Sequence, residues 1–284
     1  MPSTRDIRRR IKSVQSTRQV TKAMKMVSAA KLRRAQERML AVRPYAALMQ
    51  RVLSSLASRA NPELHPLLAD RGDDRIEVVV LTGDRGLCGG FNTNVLKRAM
   101  AFLMEKGAKT KGVHCIGKKG RDFFRRRNVP IAREYVDVFK NVRASQAQEI
   151  AVDLIHRFLS GELDAIYLVY NEFKSVIQQR VVVARLLPIE RAELRAGETV
   201  EDYIYEPDPR QLFDVLIPRY VAAEIYHAML ESGAAEHGAR MAAMESATTN
   251  ADEMIQSLTL YMNRVRQASI TKEIIEVVSG AGAL

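Results

Sequence analysis

The feature that most constrains this chain is what its first sixty residues lack. No glycine occurs before Gly72, and between Pro2 and Pro62 the only proline is Pro44. Apolar residues meanwhile return in threes and fours: Ile7, Ile11 and Val14, then Val20, Met24 and Val27, then Leu32, Ala35, Met39 and Val42. That recurrence draws one apolar stripe along an α-helix. The stretch predicts a helix of about 55 residues, roughly 80 Å long, with a bend near Pro44. Few globular domains need one of that length.

The far end of the chain has the same character. Asp208 and Pro209 read as an N-cap and a first helical position, Pro218 as a kink, and Gly233 and Gly238 as local weak points. Ala243, Ala247, Ala251, Met254, Leu258, Tyr261, Val265 and Ala268 then form the seam of a coiled coil, lined with alanine in its first half. If the terminal helices pair antiparallel, with residue 57 near residue 209, the numbers of facing residues sum to about 266. Met24 then faces Met241 to Met244, and Ser28, Ala29 and Ala30 face Ala235 to Gly238. The C-terminal helix overshoots its partner by about 20 residues, or about 30 Å. Its final VVSGAGAL is almost uncharged, which suits a greasy socket better than water.

Between the helices the period changes. Residues 61 to 74 carry Pro62, Pro66, Gly72 and several Asp and Asn residues, a loop signature. IEVVVLTG (76 to 83), GVHCIG, AIYLVY and RVVVARLLP read as strands, and NTNVLKRAMAFLMEKG and SQAQEIAVDLIHRFLSGELD as helices. Strands alternating with helices predict an open, largely parallel, Rossmann-like α/β sheet. Pro188 to Pro209 reads as a linker or irregular edge. The fold class expected is therefore an α/β domain (75–190) joined to a long antiparallel coiled coil of the N-terminal (1–60) and C-terminal (208–284) helices.

Charge is concentrated at one end. Residues 1 to 60 hold 15 Lys and Arg against Asp6 and Glu37, whereas the other 224 residues hold 29 against 31. A basic helical face including Arg8, Arg9, Arg10, Lys12, Arg33 and Arg34 could neutralise nucleic-acid phosphates, and a basic coiled-coil nucleic-acid binder is the alternative function. That face has no interleaved aromatics and no named fold signature. Cys88 and Cys115 are too few for a disulfide framework, and the five His residues show no metal-ligand spacing. No stretch of about 18 apolar residues predicts a membrane span, and the charged start does not read as a secretory signal. No nucleophile elbow or comparable motif predicts a catalytic residue.

GDRGLCGG (83 to 90) lies between a strand and a helix, where a glycine-rich loop can cradle phosphate on its N–H groups. Its spacing fits neither G-x-G-x-x-G nor G-x-x-x-x-G-K-[ST], so a structural turn is the favoured reading over a nucleotide-using enzyme.

Three blocks carry a family pattern: IRRRIKSVQSTRQVTKAMKMVSAAKLRRAQ (7 to 36), DRGLCGGFN (84 to 92) and residues 236 to 284, from EHGARMAAMESATTNADEM to the closing EVVSGAGAL. They resemble the γ subunit of F-type rotary ATP synthases, in order and in distance from both termini. Ser16, Tyr261-Met262 and Val265 are mild departures; the resemblance is to the bacterial type, and because the dithiol insertion of chloroplast γ subunits is absent, thiol regulation of that kind is not expected.

The resemblance implies a non-catalytic, cofactor-free shaft inside a ring of α and β subunits, with the α/β domain as a foot on the membrane c-ring and the ε subunit. It would lie peripherally on the cytoplasmic face of the bacterial membrane and couple ion flow to ATP synthesis or hydrolysis. The partner-contact residues it implies are Lys22, Met24 and Lys25 on the basic helix; Asp84, Arg85 and Cys88 in the glycine-rich loop; and Arg266, Gln267, Thr271 and Glu273 at the base of the overhang. A guanidinium fork at Arg266 suits acidic partner side chains.

Overall fold

The computed structural model describes residues 3–59, 65–176, 178–189 and 209–281. Asp208, most of the 188–209 linker, part of the 61–74 loop and the last three residues of the tip lie outside them. Two compact units result: one joins the chain up to Ser28 with the chain from Arg240 onward, and the other is Ala29–Ala239.

Both long helices form. The first, α1, spans Thr4–Arg59, 56 residues with Pro44 inside it. Its start is closed by a reciprocal cap: the Asp6 N–H donates to Ser3 Oγ at 3.2 Å, and the Ser3 N–H donates to the Asp6 carboxylate at 3.3 Å.

In the unit built from the two ends of the chain, this helix packs antiparallel on the C-terminal helix. Arg18 Nη1 donates to Asp252 at 2.8 Å, the Thr21 and Thr248 hydroxyls lie 2.8 Å apart, and Lys25 pairs with Glu245. The facing numbers sum to about 270, one helical turn from the expected 266. Ile7, Thr21 and Ser28 are buried, while Val20 and Val27 are 55% exposed.

The stripe therefore keeps strict alternation of four and three from Ile7 through Ile11, Val14, Arg18, Thr21 and Lys25 to Ser28, and does not shift phase at Val20. On the partner, the less exposed positions run Met244, Thr248, Ala251, Ile255, Leu258, Met262 and Val265, whereas Met254 is 52% exposed. An apolar-only reading cannot see this seam, because its middle is polar. Beyond Val265 the described side chains of the last helix are exposed, as expected for an overhang.

The other unit contains a five-stranded sheet. Its strands are β1 (Ile76–Leu81), β2 (Thr110–Ile116), β3 (Ile131–Tyr135), β4 (Ala165–Phe173) and β5 (Gln179–Leu187), in spatial order β3-β2-β1-β4-β5. The first four are parallel, and β5 returns antiparallel beside β4. Helices α2 (Phe91–Lys106) and α3 (Lys118–Arg125) belong to the core on one face, where Val95, Ala99, Phe102 and Phe124 meet Val78, Val80 and Cys115. On the other face lie α4 (Ala144–Leu159) and the first part of α5 (Pro209–Ala281, 73 residues). Phe213, Ile217, Val221, Ile225 and Met229 of α5 join Ile150, Leu154 and Phe158 of α4 in that core.

The sequence reading missed β3 and α3. Strand β3 is an edge strand whose IAREY has no buried position, and α3 is a cation-rich helix of only eight residues with Gly120 inside it, too short for its apolar residues to recur. It also missed a buried polar set. Glu77 Oε2 lies 2.7 Å from His114 Nε2 and accepts from Arg157 Nη1 at 2.6 Å, with Glu77 and His114 fully buried. Burying that carboxylate is tolerable only because a guanidinium meets it.

The polar seam gives a direct test of register. Thr21→Cys combined with Thr248→Cys should form a disulfide under mild oxidation, seen as a mobility shift on non-reducing gels. Thr21→Cys with Glu245→Cys, one turn out of register, should not.

Candidate functional site

The loop after β1 is held by its own side chains. The Gly83 N–H donates to Asn92 Oδ1 at 2.8 Å, and Asn92 Nδ2 returns to the Arg85 carbonyl at 3.3 Å and to Cys88 Sγ at 3.2 Å. One amide at the start of α2 thus spans the loop from end to end. Leu87 and Gly89 take positive φ angles of 60° and 55°, which turn the chain back toward α2. Asp84 reaches the other way: its Oδ1 accepts the Lys118 N–H at 3.1 Å and the Asp137 N–H at 3.0 Å. One carboxylate oxygen therefore joins the segments that follow β1, β2 and β3.

In open α/β sheets ligands enter at the carboxyl ends of the strands where the strand order reverses. Here that point lies between β1 and β4, and α5 occupies it. The Phe173 N–H, at the end of β4, donates to Glu231 at 2.8 Å, and a Cβ built on Gly83 would lie 3.0 Å from the Glu236 carboxylate. Gly238 lets the same helix pass close to Phe173, whose ring would lie 3.2 Å from an added Cβ. Carboxylates from Asp84, Glu231 and Glu236 make this a poor place for phosphate, because like charges repel most strongly where water is scarce. Nearby in the sheet, Cys115 is fully buried, and burial, with the negative charge of Glu134 in second place, pushes its thiol up to about 12. It is an inert core group.

The three expected contact groups occupy distinct settings. In the loop Arg85 is exposed, Asp84 is half-buried in its brace, and Cys88 is 2% exposed with its sulfur turned toward Asn92. On the N-terminal helix Lys22 is exposed, Met24 is half-buried, and Lys25 is engaged with Glu245. Arg266, Gln267, Thr271 and Glu273 are all exposed, about 30 to 40 Å along the last helix from Glu245. The Thr271 hydroxyl donates back to the Gln267 carbonyl at 2.9 Å, and Ser269 Oγ donates to Glu273 at 3.4 Å, so these two are tied to their own helix. Among the described residues no group of three or more His, Cys, Asp or Glu could hold a metal ion, and no helix is long and apolar enough to cross a membrane.

A family model described as ATP synthase matches residues 3–284. An ATP synthase gamma chain of Anaeromyxobacter sp. is 54% identical, with all of both chains covered. The chain belongs to the ATP synthase gamma-chain family. A gamma chain from Solibacter usitatus is also 54% identical, over 100% of this chain and 99% of that one. Among solved structures, one titled as the central stalk and c-ring of the Tetrahymena thermophila mitochondrial ATP synthase matches with TM-score 0.62 and 25% identity, over 80% of this chain and 99% of that chain. A chain of the Euglena gracilis mitochondrial ATP synthase shares the fold at TM-score 0.68 and 20% identity, over 99% and 94% of the two chains.

As a gamma chain this protein is a central-stalk rotor subunit coupled to the catalytic ring, and is not itself a catalyst. The internal hydrogen bonds of the glycine-rich loop agree with that role, since they make it a brace. Asn92, Glu231 and Glu236, which hold this gamma chain's switch point closed, were not anticipated. Two acids in a helix that packs against a sheet are a signal that could have drawn notice.

Asp84→Ala should cost about 2–4 kcal/mol in urea denaturation of the full chain, because it strands two N–H groups near the sheet. Asp84→Asn keeps an acceptor oxygen and should cost less than half as much.

Proposed function

We propose that this chain works as the rotor shaft among the α and β subunits of the catalytic ring, carried on the ε subunit and the membrane c-ring. It would sit peripherally on the cytoplasmic side of the bacterial cell membrane. On this reading 1–60 and 208–284 are the shaft segments and 75–190 is the foot. The observation that carries the proposal is the bare end of α5: Ile270, Ile274, Ile275, Val277 and Val278 are 48–71% exposed on a helix with no described companion there. Apolar side chains displayed in that density call for a surrounding surface.

The coupling follows from unequal contacts. A partner shifts a conformational equilibrium only by touching its states differently. A shaft that changes along its length from a polar-seamed helix pair to one apolar helix cannot present the same face to three identical neighbours. Turning it would move the favoured state around the ring. Lys22, Met24, Lys25, Asp84, Arg85, Cys88, Arg266, Gln267, Thr271 and Glu273 are the proposed contact residues. Arg266 supplies a planar donor fork for acidic partner groups, and Lys22 supplies a positive charge that the described side chains leave unpaired.

The deciding experiment mixes the purified chain with α and β subunits. Co-purification with restored ATPase turnover supports the reading, and repeated failure to assemble would sink it. Arg266→Ala should lower coupled turnover about tenfold, as expected for one charge-assisted hydrogen bond of about 1.5 kcal/mol. Its folding stability should change by less than about 0.5 kcal/mol. Met24→Lys adds a third cation beside Lys22 and Lys25 and should reduce the number of ATP made per ion moved. An unchanged ratio in reconstituted vesicles would remove Met24 from the contact surface.

A further inference from the structure

Within the sheet-containing unit a cleft of about 200 Å³ opens where α1 faces the turn after β3 and a stretch of α5. Lys31, Arg34 and Arg38 line it from α1, and Lys140 from the turn. Phe139, Val142 and Leu230 supply an apolar wall. The three α1 cations stand at i, i+3 and i+7, so they share one face of the helix. Among the described residues no carboxylate lies within ion-pair distance of Lys31, Arg34 or Arg38. Among the described residues Arg38 donates to the Asn141 side chain, at 3.4 Å, and Lys140 is shared with Asp137 at 3.1 Å.

This arrangement differs from that of three other cations of the basic helix. Arg18, Lys25 and Arg33 each meet a carboxylate, so their charge is compensated within the chain. At the cleft, like charges three and four residues apart disfavour the helix that carries them. Two guanidinium forks beside an ammonium match the oxygens of a phosphate group, and the Lys31, Arg34 and Arg38 side chains are exposed. The volume suits a group of a few atoms and is too small for a helix.

We propose that this cleft is a binding site for a diphosphate group, either inorganic pyrophosphate or the terminal phosphates of a nucleoside di- or triphosphate. It lies apart from the glycine-rich loop and uses none of that loop's residues. Bound there, the anion offsets the charge repulsion along α1 and cross-links α1 to the Phe139–Val142 turn.

The test is calorimetric titration of the full chain with pyrophosphate, ADP, AMP and inorganic phosphate at physiological salt. Saturable binding with one equivalent of pyrophosphate is expected, at least tenfold tighter than inorganic phosphate. Arg34→Gln and Arg38→Gln should each weaken it tenfold or more, while Lys97→Gln, an exposed cation on α2, should leave it unchanged. Equal binding of ADP and pyrophosphate would name the diphosphate as the recognised part; tighter ADP binding would place the nucleoside in the site as well. Hydrogen exchange at residues 139–142 in the assembled complex, with and without pyrophosphate, provides a second reading that does not depend on the solubility of the isolated chain. No saturation at millimolar pyrophosphate, an equal loss in Lys97→Gln, or equal affinity for a polyglutamate peptide would overturn the proposal.

Discussion

The pairing of the two chain ends depends on a short run of polar contacts in its seam. Helices that meet through alanine, isoleucine and methionine alone can slide by a turn at small cost, since one apolar stripe fits another in several registers. Arg18 with Asp252, Thr21 with Thr248 and Lys25 with Glu245 remove that freedom. The ion pairs themselves contribute little stability, about 0–1 kcal/mol each, because their side chains are 39–54% exposed. Their effect is on specificity. A slip of one turn would take the buried Thr21 hydroxyl from its mate and separate both charge pairs at once.

Register matters because it sets which side chains the helix pair presents outward. With Thr21 and Ser28 turned inward, Val20, Met26 and Val27 are left 55–60% exposed on the same helix. A wholly apolar seam would have drawn those residues in. The polar seam thus leaves Val20, Met26 and Val27 exposed among the basic side chains of the same helix.

In the sheet-containing unit the C-terminal helix is itself a layer of the core. From Phe213 to Met229 its apolar residues pack with α4 against β1 and β4, and Glu231 and Glu236 then close the carboxyl edge of the sheet where related architectures admit ligands. A fold that elsewhere opens a nucleotide crevice is here sealed by its own last helix. The glycine-rich loop is correspondingly pinned by Asn92 and Asp84, which fits a part that transmits force and performs no chemistry.

What the sequence determined alone was local and periodic. The absence of breakers and the three-four spacing set the two long helices, β-branched runs set four of five strands, and the matching blocks at both ends carried the family resemblance. The edge strand Ile131–Tyr135 escaped because it buries no residue, and the helix Lys118–Arg125 because eight residues are too few for a repeat to show. The phase of the seam escaped because Thr21, Lys25 and Ser28 look like surface residues until Thr248 and Glu245 stand opposite them. Only the tertiary structure decided which one-turn register is occupied, which acids close the switch point, and which cations of the basic helix meet a carboxylate. Those outcomes depend on pairs of groups far apart in the chain, and spacing along one helix carries no record of what faces it.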